Sequence, residues 1–333
     1  MDYVVTVVGM GKIGLPLAVQ CASMGFKVYG ADINVDTVSA INMGNEPFPG
    51  EECLQEKLTF VRESGNFEAT TETVCAVSKS NVVVVVVPLY VDQLGVPDFT
   101  IMDAVTADIS NGLKPGTLVC YETTLPVGTT RDRFTPALAH GSNLKSGEDF
   151  FVAFSPERVF SGKVFSDLAT NPKIVGGIDY NSGEKAVEFY NSILEFDERP
   201  DLLRKNGAWD IGSCEASELV KLAETTYRDV NIGLANQFAK YAHTKDIDIS
   251  KVIEACNSQP YSHIHSPGIA VGGHCIPIYP QMYLWNDPSA SIVAAARLVN
   301  TSMPRYAVEM IHSMAGPLTG KKVAILGASY RGN

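Results

Sequence analysis

No stretch of this chain is apolar for long enough to cross a membrane. The longest apolar run, residues 82–87, is far short of the roughly 20 residues a helical span requires. It reads instead as a strand buried on both faces of a parallel sheet. Nor is a secretory leader expected, because residues 3–8 are apolar but brief and run straight into a glycine turn. There is no C-x-x-C pair, and the seven cysteines (Cys21, Cys53, Cys75, Cys120, Cys214, Cys256 and Cys275) are odd in number and scattered. That pattern disfavours a disulfide framework and fits free thiols in a reducing, cytoplasmic compartment. Basic charge is also scarce: 26 Lys and Arg against 37 Asp and Glu leave a net charge of −11. Nucleic acid and anionic membrane surfaces are therefore poor partners, whereas a small anionic substrate needs only a few local cations.

What is present is an ordinary globular composition, 45% hydrophobic and 19% charged over 333 residues, long enough for two domains and a large core. Residues 3–8 (YVVTVV) form a β-branched run, followed by Gly9-Met10-Gly11-Lys12-Ile13-Gly14. A helical stretch to residue 24, a second short strand at 26–30 and then Asp32 complete a strand, G-x-G-x-x-G, helix, strand, acidic-residue unit. In that context Gly9 makes the tight turn, Gly11 lets a diphosphate approach, and Gly14 permits close helix–strand packing. The diphosphate would rest on the helix N-terminus. Asp32 would accept from the ribose hydroxyls and disfavour a 2′-phosphate, which selects NAD.

Strands and helices continue to alternate. Apolar runs at 82–87, 117–121, 151–154 and 173–175 end in Pro88, Glu122-Thr123-Thr124, Ser155-Pro156-Glu157-Arg158 and Gly176-Gly177. Ligands of open parallel sheets bind outside the carboxyl ends of the strands, so Thr124 and Glu157 should face one crevice. Either could equally cap a helix.

From 216 to 244 the pattern becomes one long helical run without proline, with Gly233 its only breaker. Leu219, Leu222, Ala223, Tyr227, Val230, Leu234 and Phe238 recur at spacings of three and four. This run is expected to serve a dimer interface, and Lys221 lies in its first turns among Glu215, Glu218 and Glu224. A second helical region, 291–314, should be interrupted at Pro304. Residues 321–326 (KKVAIL) read as a new strand, the start of a third domain that the chain cuts short.

The stretch 266–281, SPGIAVGGHCIPIYPQ, suits no regular element. Its glycines and prolines should make a rigid loop presenting the Cys275 thiol beside bare main-chain N–H groups, an arrangement suited to a nucleophile with an oxyanion site. A turn with an inert thiol is the alternative. His263, His265, His274 and Cys275 match no common zinc spacing, so no metal is expected.

Taken together, GMGKIG with LPLA at the N-terminus, ETTLPVGTT at 122–130, SPERV at 155–159 and KLAETTYRDVNIGLAN at 221–236 resemble the UDP-glucose/GDP-mannose dehydrogenase family. GGHCIP at 272–277, ARLVNTSMP at 296–304 and VAILGASYRGN at 323–333 extend the resemblance to the last residue. YRDVNI and GGHCIP look most similar to the branch acting on UDP-N-acetylhexosamines. The resemblance implies an α/β fold: a Rossmann-like doubly wound NAD domain over 1–200, an all-helical central and dimerisation domain over 201–316, and at 317–333 the first strand of a truncated UDP-binding domain. It further implies oxidation of a UDP-sugar C6 alcohol to the carboxylate by two hydride transfers to NAD, with Cys275 as covalent nucleophile, Lys221 as oxyanion partner, Glu157 handling water and Thr124 near it. NAD would meet Gly9, Gly11, Lys12, Ile13, Gly14, Asp32, Pro88 and Thr124. Glu157, Arg158, Lys221, Thr225, Arg228, Val271, Gly272, Gly273 and Arg331 would meet the substrate. Lys221 and Cys275 are expected to converge on one crevice.

Some positions depart from the family pattern. Tyr279 stands where Asp is common, Thr225 where Asn is common, Tyr261 near the place of an arginine, and Pro88-Leu89 in place of T-P. A β-hydroxyacid-type dehydrogenase, which also pairs a Rossmann domain with a helical lysine but needs no cysteine, is an alternative reading, as is a non-catalytic NAD-binding homologue.

Overall fold

The computed structural model describes residues 3–92, 94–273 and 275–327. It contains β1 (Val4–Val8), β2 (Lys27–Ala31), β3 (Phe67–Thr70), β4 (Val82–Val85), a short ribbon of β5 (Tyr90–Val91) and β6 (Pro97–Asp98), then β7 (Leu118–Tyr121), β8 (Phe151–Phe154), β9 (Lys173–Gly177) and β10 (Ala208–Asp210). The chain divides into two compact units, Met1–Tyr90 with Pro97–Lys221, and Val91–Val96 with Leu222–Asn333.

In the first unit eight strands form one sheet in the order β10-β9-β8-β7-β4-β1-β2-β3. From β3 to β8 all neighbours are parallel, as the β-branched runs separated by helices require. The strands β4, β7 and β8 are buried along their whole length. Alternate side chains feed two cores. Val5, Val7, Val28, Val82, Val84, Cys120 and Ala153 pack with Leu15, Leu58 and Phe189 on one side. Val8, Val83, Val85, Val119, Tyr121 and Phe154 pack with Met102, Ile109 and Leu138 on the other. Each fully buried side chain of this size stabilises the sheet by roughly 1.5–3 kcal/mol.

One reversal breaks the regularity. β9 runs antiparallel to β8, with Phe154 opposite Gly176 and Ala153 opposite Gly177, and β10 follows β9 in parallel. The amino end of β9 therefore lies at the edge where β8 ends, which matters below.

The second unit is helical: most of the long helix Cys214–Thr244, then Ile249–Asn257, Tyr279–Asn286 and Ser291–Ala315. The expected breaker Gly233 is an approach point. A Cβ there would lie 3.1 Å from both Cα and Cβ of Ala296, so the missing side chain lets two helices touch. The expected interruption at Pro304 does not occur, since the helix runs through it. Packing of Asn300 and Met303, both buried, outweighs the lost main-chain hydrogen bond. The expected strand at 321–326 is not formed either: residues 321–327 are irregular, with Val323, Ile325 and Leu326 exposed. No described strand lies beside them to complete a ladder, and a strand alone is not stable. Arg331 lies outside the described residues.

Candidate functional site

The glycine loop follows β1 directly. Gly9 has φ +99°, and a Cβ there would meet the Val86 carbonyl oxygen at 2.8 Å. A Cβ on Gly14 would sit 1.9 Å from the Gly9 carbonyl oxygen, which is the close packing expected of the third glycine. Gly11 is different, because among the described residues nothing beyond its own chain neighbours lies within 4 Å of its missing side chain. That open space is what a diphosphate needs. Ile13 stands at the cap of helix Gly14–Ser23, with exposed Lys12 before it. At the end of β2 the Asp32 carboxylate accepts from Met10 N at 2.7 Å and Asn34 N at 2.9 Å. It is thereby fixed beside the glycine loop with lone pairs to spare for a ribose. The residues present fit NAD.

The other strand ends gather along the same edge of the sheet. Pro88 follows β4, and the Thr123 hydroxyl donates to the Val87 carbonyl at 2.6 Å, tying the loops after β4 and β7 together. Thr124 is buried. β7 and β8 are in register, Tyr121 opposite Phe154, so Thr124 and Glu157 extend from neighbouring strands. The long helix clips both loops. Glu218, fully buried, accepts from Gly128 N at 2.6 Å, Thr130 N at 2.9 Å and the Thr130 hydroxyl at 2.7 Å. Burial pushes its carboxyl up to about 7 despite these donors. One turn further, the Lys221 ammonium donates to the Glu157 carbonyl oxygen. Glu157 itself accepts from Arg158 N at 2.8 Å, and the Arg158 guanidinium donates to the Pro172 carbonyl at 2.9 Å. One guanidinium nitrogen of Arg158 is thus committed to main chain.

Two charged neighbours of Glu157 escape a reading of the sequence. Glu122 is completely buried, and Lys173 Nζ lies 3.0 Å from its Oε2 and 3.6 Å from Glu157 Oε2. The available signal was an acidic residue at the end of one apolar strand and a lysine opening another.

In the second unit the loop carrying Cys275 is held from below by a buried polar chain. Arg297 pairs with Asp229 at 2.6 Å, Asn300 donates to Asp229, Asn236 donates to Asn300 at 2.9 Å, and the side-chain amide oxygen of Asn236 accepts from Gly268 N at 2.9 Å. Asn231 likewise accepts from His265 N. The side of the long helix that faces the protein is thus partly polar, a feature its apolar spacing hid. Cys275 is a free, half-buried thiol, and its carbonyl accepts from Ile278 N and Tyr279 N at the start of helix Tyr279–Asn286. Gly273, exposed, takes φ +83°, while Val271 and Gly272 are half-buried. Thr225 is buried, its hydroxyl bonded back to the Leu222 carbonyl, and Arg228 is exposed. Among the described residues no group of three His, Cys, Asp or Glu could hold a metal ion, and no helix is long and apolar enough to cross a membrane.

A doubly wound sheet, a fitted glycine loop and an acidic residue closing β2 define a dinucleotide-binding α/β protein. Comparison with known proteins narrows the class. Residues 3–194 match the NAD binding domain of the UDP-glucose/GDP-mannose dehydrogenase family, and residues 215–302 match its central domain. The chain belongs to this family and is an NAD-dependent dehydrogenase. It is 33% identical over 98% of its length to a UDP-N-acetyl-D-mannosamine dehydrogenase of Pyrococcus horikoshii, covering 76% of that protein. A protein of the same description from Methanocaldococcus jannaschii is 35% identical over 99% of the chain, which covers 72% of it. The solved Pyrococcus horikoshii structure matches with a TM-score of 0.85, covering 93% of this chain and 71% of that one.

Proposed function

We propose that the protein oxidises the C6 alcohol of a UDP-N-acetylhexosamine, with UDP-N-acetyl-D-mannosamine as the first candidate, to the carboxylate. The observation that carries this reading is the likeness, over 98–99% of this chain, to relatives described as UDP-N-acetyl-D-mannosamine dehydrogenases. The open space at Gly11 in the glycine loop and the free, half-buried Cys275 thiol support it. When bound, NAD accepts hydride from C6, and reaching the carboxylate takes two such molecules. The Cys275 sulfur adds to the C6 aldehyde to give a thiohemiacetal, and after the second oxidation it holds the acid as a thioester. Water then releases the carboxylate and restores the thiol. The Lys221 ammonium stabilises the oxyanion, Glu157 takes the proton of the attacking water, and Thr124 lies beside it. Arg158, Thr225, Arg228 and the main chain of Val271, Gly272 and Gly273 serve the sugar nucleotide, as does Arg331 in sequence terms.

The domain reading that goes with this function is an NAD domain over 1–200, a helical domain over 201–316 and the start of a UDP-binding domain at 317–333, in a cytoplasmic enzyme. A homodimer through the long helix belongs to the same reading. Tyr227, Leu234, Phe238 and Tyr241 are 56%, 47%, 41% and 63% exposed along one side of that helix, while Asp229 and Asn236 are buried on another. A second copy is the occupant that such a long apolar stripe suits. Phe238→Glu should convert a dimer to monomer in analytical ultracentrifugation.

The test of the activity is NADH formation from UDP-N-acetyl-D-mannosamine. Two NADH per sugar are expected, and Cys275→Ser should abolish formation of the acid. No NADH from any UDP-sugar would overturn the reading. Turnover of a β-hydroxyacid that survives Cys275→Ser would replace it.

A further inference from the structure

The loop after β8 is shaped by side chains that come from elsewhere in the chain. Its first half carries Glu157 and Arg158. The Lys221 ammonium ties it at the Glu157 carbonyl, and the Asn171 amide donates to the Arg158 carbonyl at 3.2 Å. Its second half turns through Phe160 and Gly162 into helix Val164–Thr170. That helix has no cap from its own approach: Lys163 stands at the cap position, and its side chain makes no capping bond. Glu51, 113 positions before Val164, supplies the acceptors instead. One carboxylate oxygen accepts from Gly162 N at 2.6 Å and the other from Val164 N at 2.7 Å.

The fit around this carboxylate is close. Glu51 is only 8% exposed. Gly162 takes φ +93°, and a Cβ there would lie 3.2 Å from the Gly50 carbonyl oxygen, so the two turns meet main chain to main chain. Phe48, Val159 and Phe165 pack on the same core beneath them. Asp167 accepts from Phe160 N at 2.8 Å and holds the turn from its other side. Each Glu51 oxygen answers one main-chain N–H at or just before the first helical turn, where no helical carbonyl is available. The bonds are charge-assisted. A brace that acts by packing needs only the size of this side chain. Two donors, one at each oxygen, need two acceptors, and glutamine would set an NH2 against one of them.

We propose that Glu51 is a positioning residue for the sugar nucleotide: it fixes the second half of the loop after β8, the loop on which Glu157 and Arg158 stand. The inference rests on the reading of Glu157 and Arg158 as groups that meet the substrate. The first half of the loop keeps its own ties to Lys221 and Asn171. Loss of Glu51 should therefore weaken substrate binding more than it slows the chemical step.

The experiment measures kcat and KM for UDP-N-acetyl-D-mannosamine, and KM for NAD, in the unaltered protein, Glu51→Gln and Glu51→Ala. Both variants should raise KM for the sugar nucleotide about tenfold or more, with kcat and KM for NAD changed less than about twofold. Glutamine should do nearly as badly as alanine. An ordinary KM in Glu51→Gln, or a loss spread equally over kcat and the KM for NAD, makes Glu51 a brace of the fold and overturns the proposal. Amide exchange followed by NMR needs no variant: the Gly162 and Val164 N–H groups of the unaltered protein should exchange far more slowly than amides of exposed loops. Fast exchange at both would overturn the proposal even where neither variant folds. If the unaltered protein turns over no UDP-sugar, the functional reading fails. Protection at Gly162 and Val164, and its loss in Glu51→Gln, then still decides whether Glu51 holds the loop.

Discussion

Glu218 accepts from both the main-chain N–H and the hydroxyl of Thr130, at 2.9 and 2.7 Å, across 88 positions of sequence. With Gly128 N it makes three charge-assisted bonds that fasten the loop after β7 to the long helix. Glu218→Ala strands three donors in a buried place and should cost roughly 2–4 kcal/mol in urea unfolding. Glu218→Gln should cost less, since its amide oxygen still accepts. Equal losses in the two variants would reject this account.

The glycine loop separates stability from binding. Among the described residues, Gly11→Ala meets no atom within 4 Å beyond its own chain neighbours, so unfolding should change by less than about 0.5 kcal/mol, while NAD affinity drops about tenfold or more, equivalent to about 1.4 kcal/mol. Gly14→Ala drives a Cβ to within 1.9 Å of the Gly9 carbonyl and should damage both. Calorimetric NAD titration beside thermal unfolding distinguishes them. An alanine at 11 that binds NAD normally would place the diphosphate elsewhere.

Asp32 should govern the choice between NAD and NADP, because a carboxylate repels a 2′-phosphate. Asp32→Ala is expected to narrow the affinity gap between the two dinucleotides. It should also cost some stability, since Met10 N and Asn34 N lose their acceptor. Equal use of NADP by the unaltered protein would show that Asp32 plays no such part.

Stability should fall as pH rises from about 5 to about 8. Glu122 and Glu218 are both raised from 4.5 to about 7 by burial. Across that window the folded chain keeps protons that the unfolded chain has released, so the slope of unfolding free energy against pH is negative. Each group contributes on the order of 1–3 kcal/mol, present below about 4.5 and lost through about 7. His265, lowered by burial and by Arg228, acts weakly the other way. Glu215, held down to about 2 by Arg131, adds stability above its unfolded range and loses it only in stronger acid. Urea unfolding across this range should show a shallower slope in Glu122→Gln and Glu218→Gln; an unchanged slope in both refutes the assignment.

The regular half of the fold was legible because its signals are local. β-Branched runs, a glycine loop and Asp32 each announce themselves within a few residues, and β1, β2, β4, β7 and β8 lie where those runs predict. The site's charge partners were not legible. Lys173 opens a strand that a uniformly parallel sheet would turn the other way, placing the lysine at the far edge from Glu157; only the reversal of β9 brings them together. The polar face of the long helix was hidden for a similar reason. Leu234 and Phe238 keep helical spacing yet are exposed, while Asp229 and Asn236 are buried, because their partners come from a helix some 60–70 residues away. The strand expected at 321–326 failed on the same principle, since apolar composition does not supply a neighbour.

The chain from Arg297 through Asp229, Asn300 and Asn236 to Gly268 N has a consequence for how this protein can change over generations. Each member is hydrogen-bonded to the next, so replacing one strands its neighbour. Drift along helix Ser291–Ala315 is thus constrained by partners on the long helix, and viable exchanges at 229, 236, 297 and 300 should arise as matched sets rather than singly. The segment leading to Cys275 inherits that constraint without containing any of those residues.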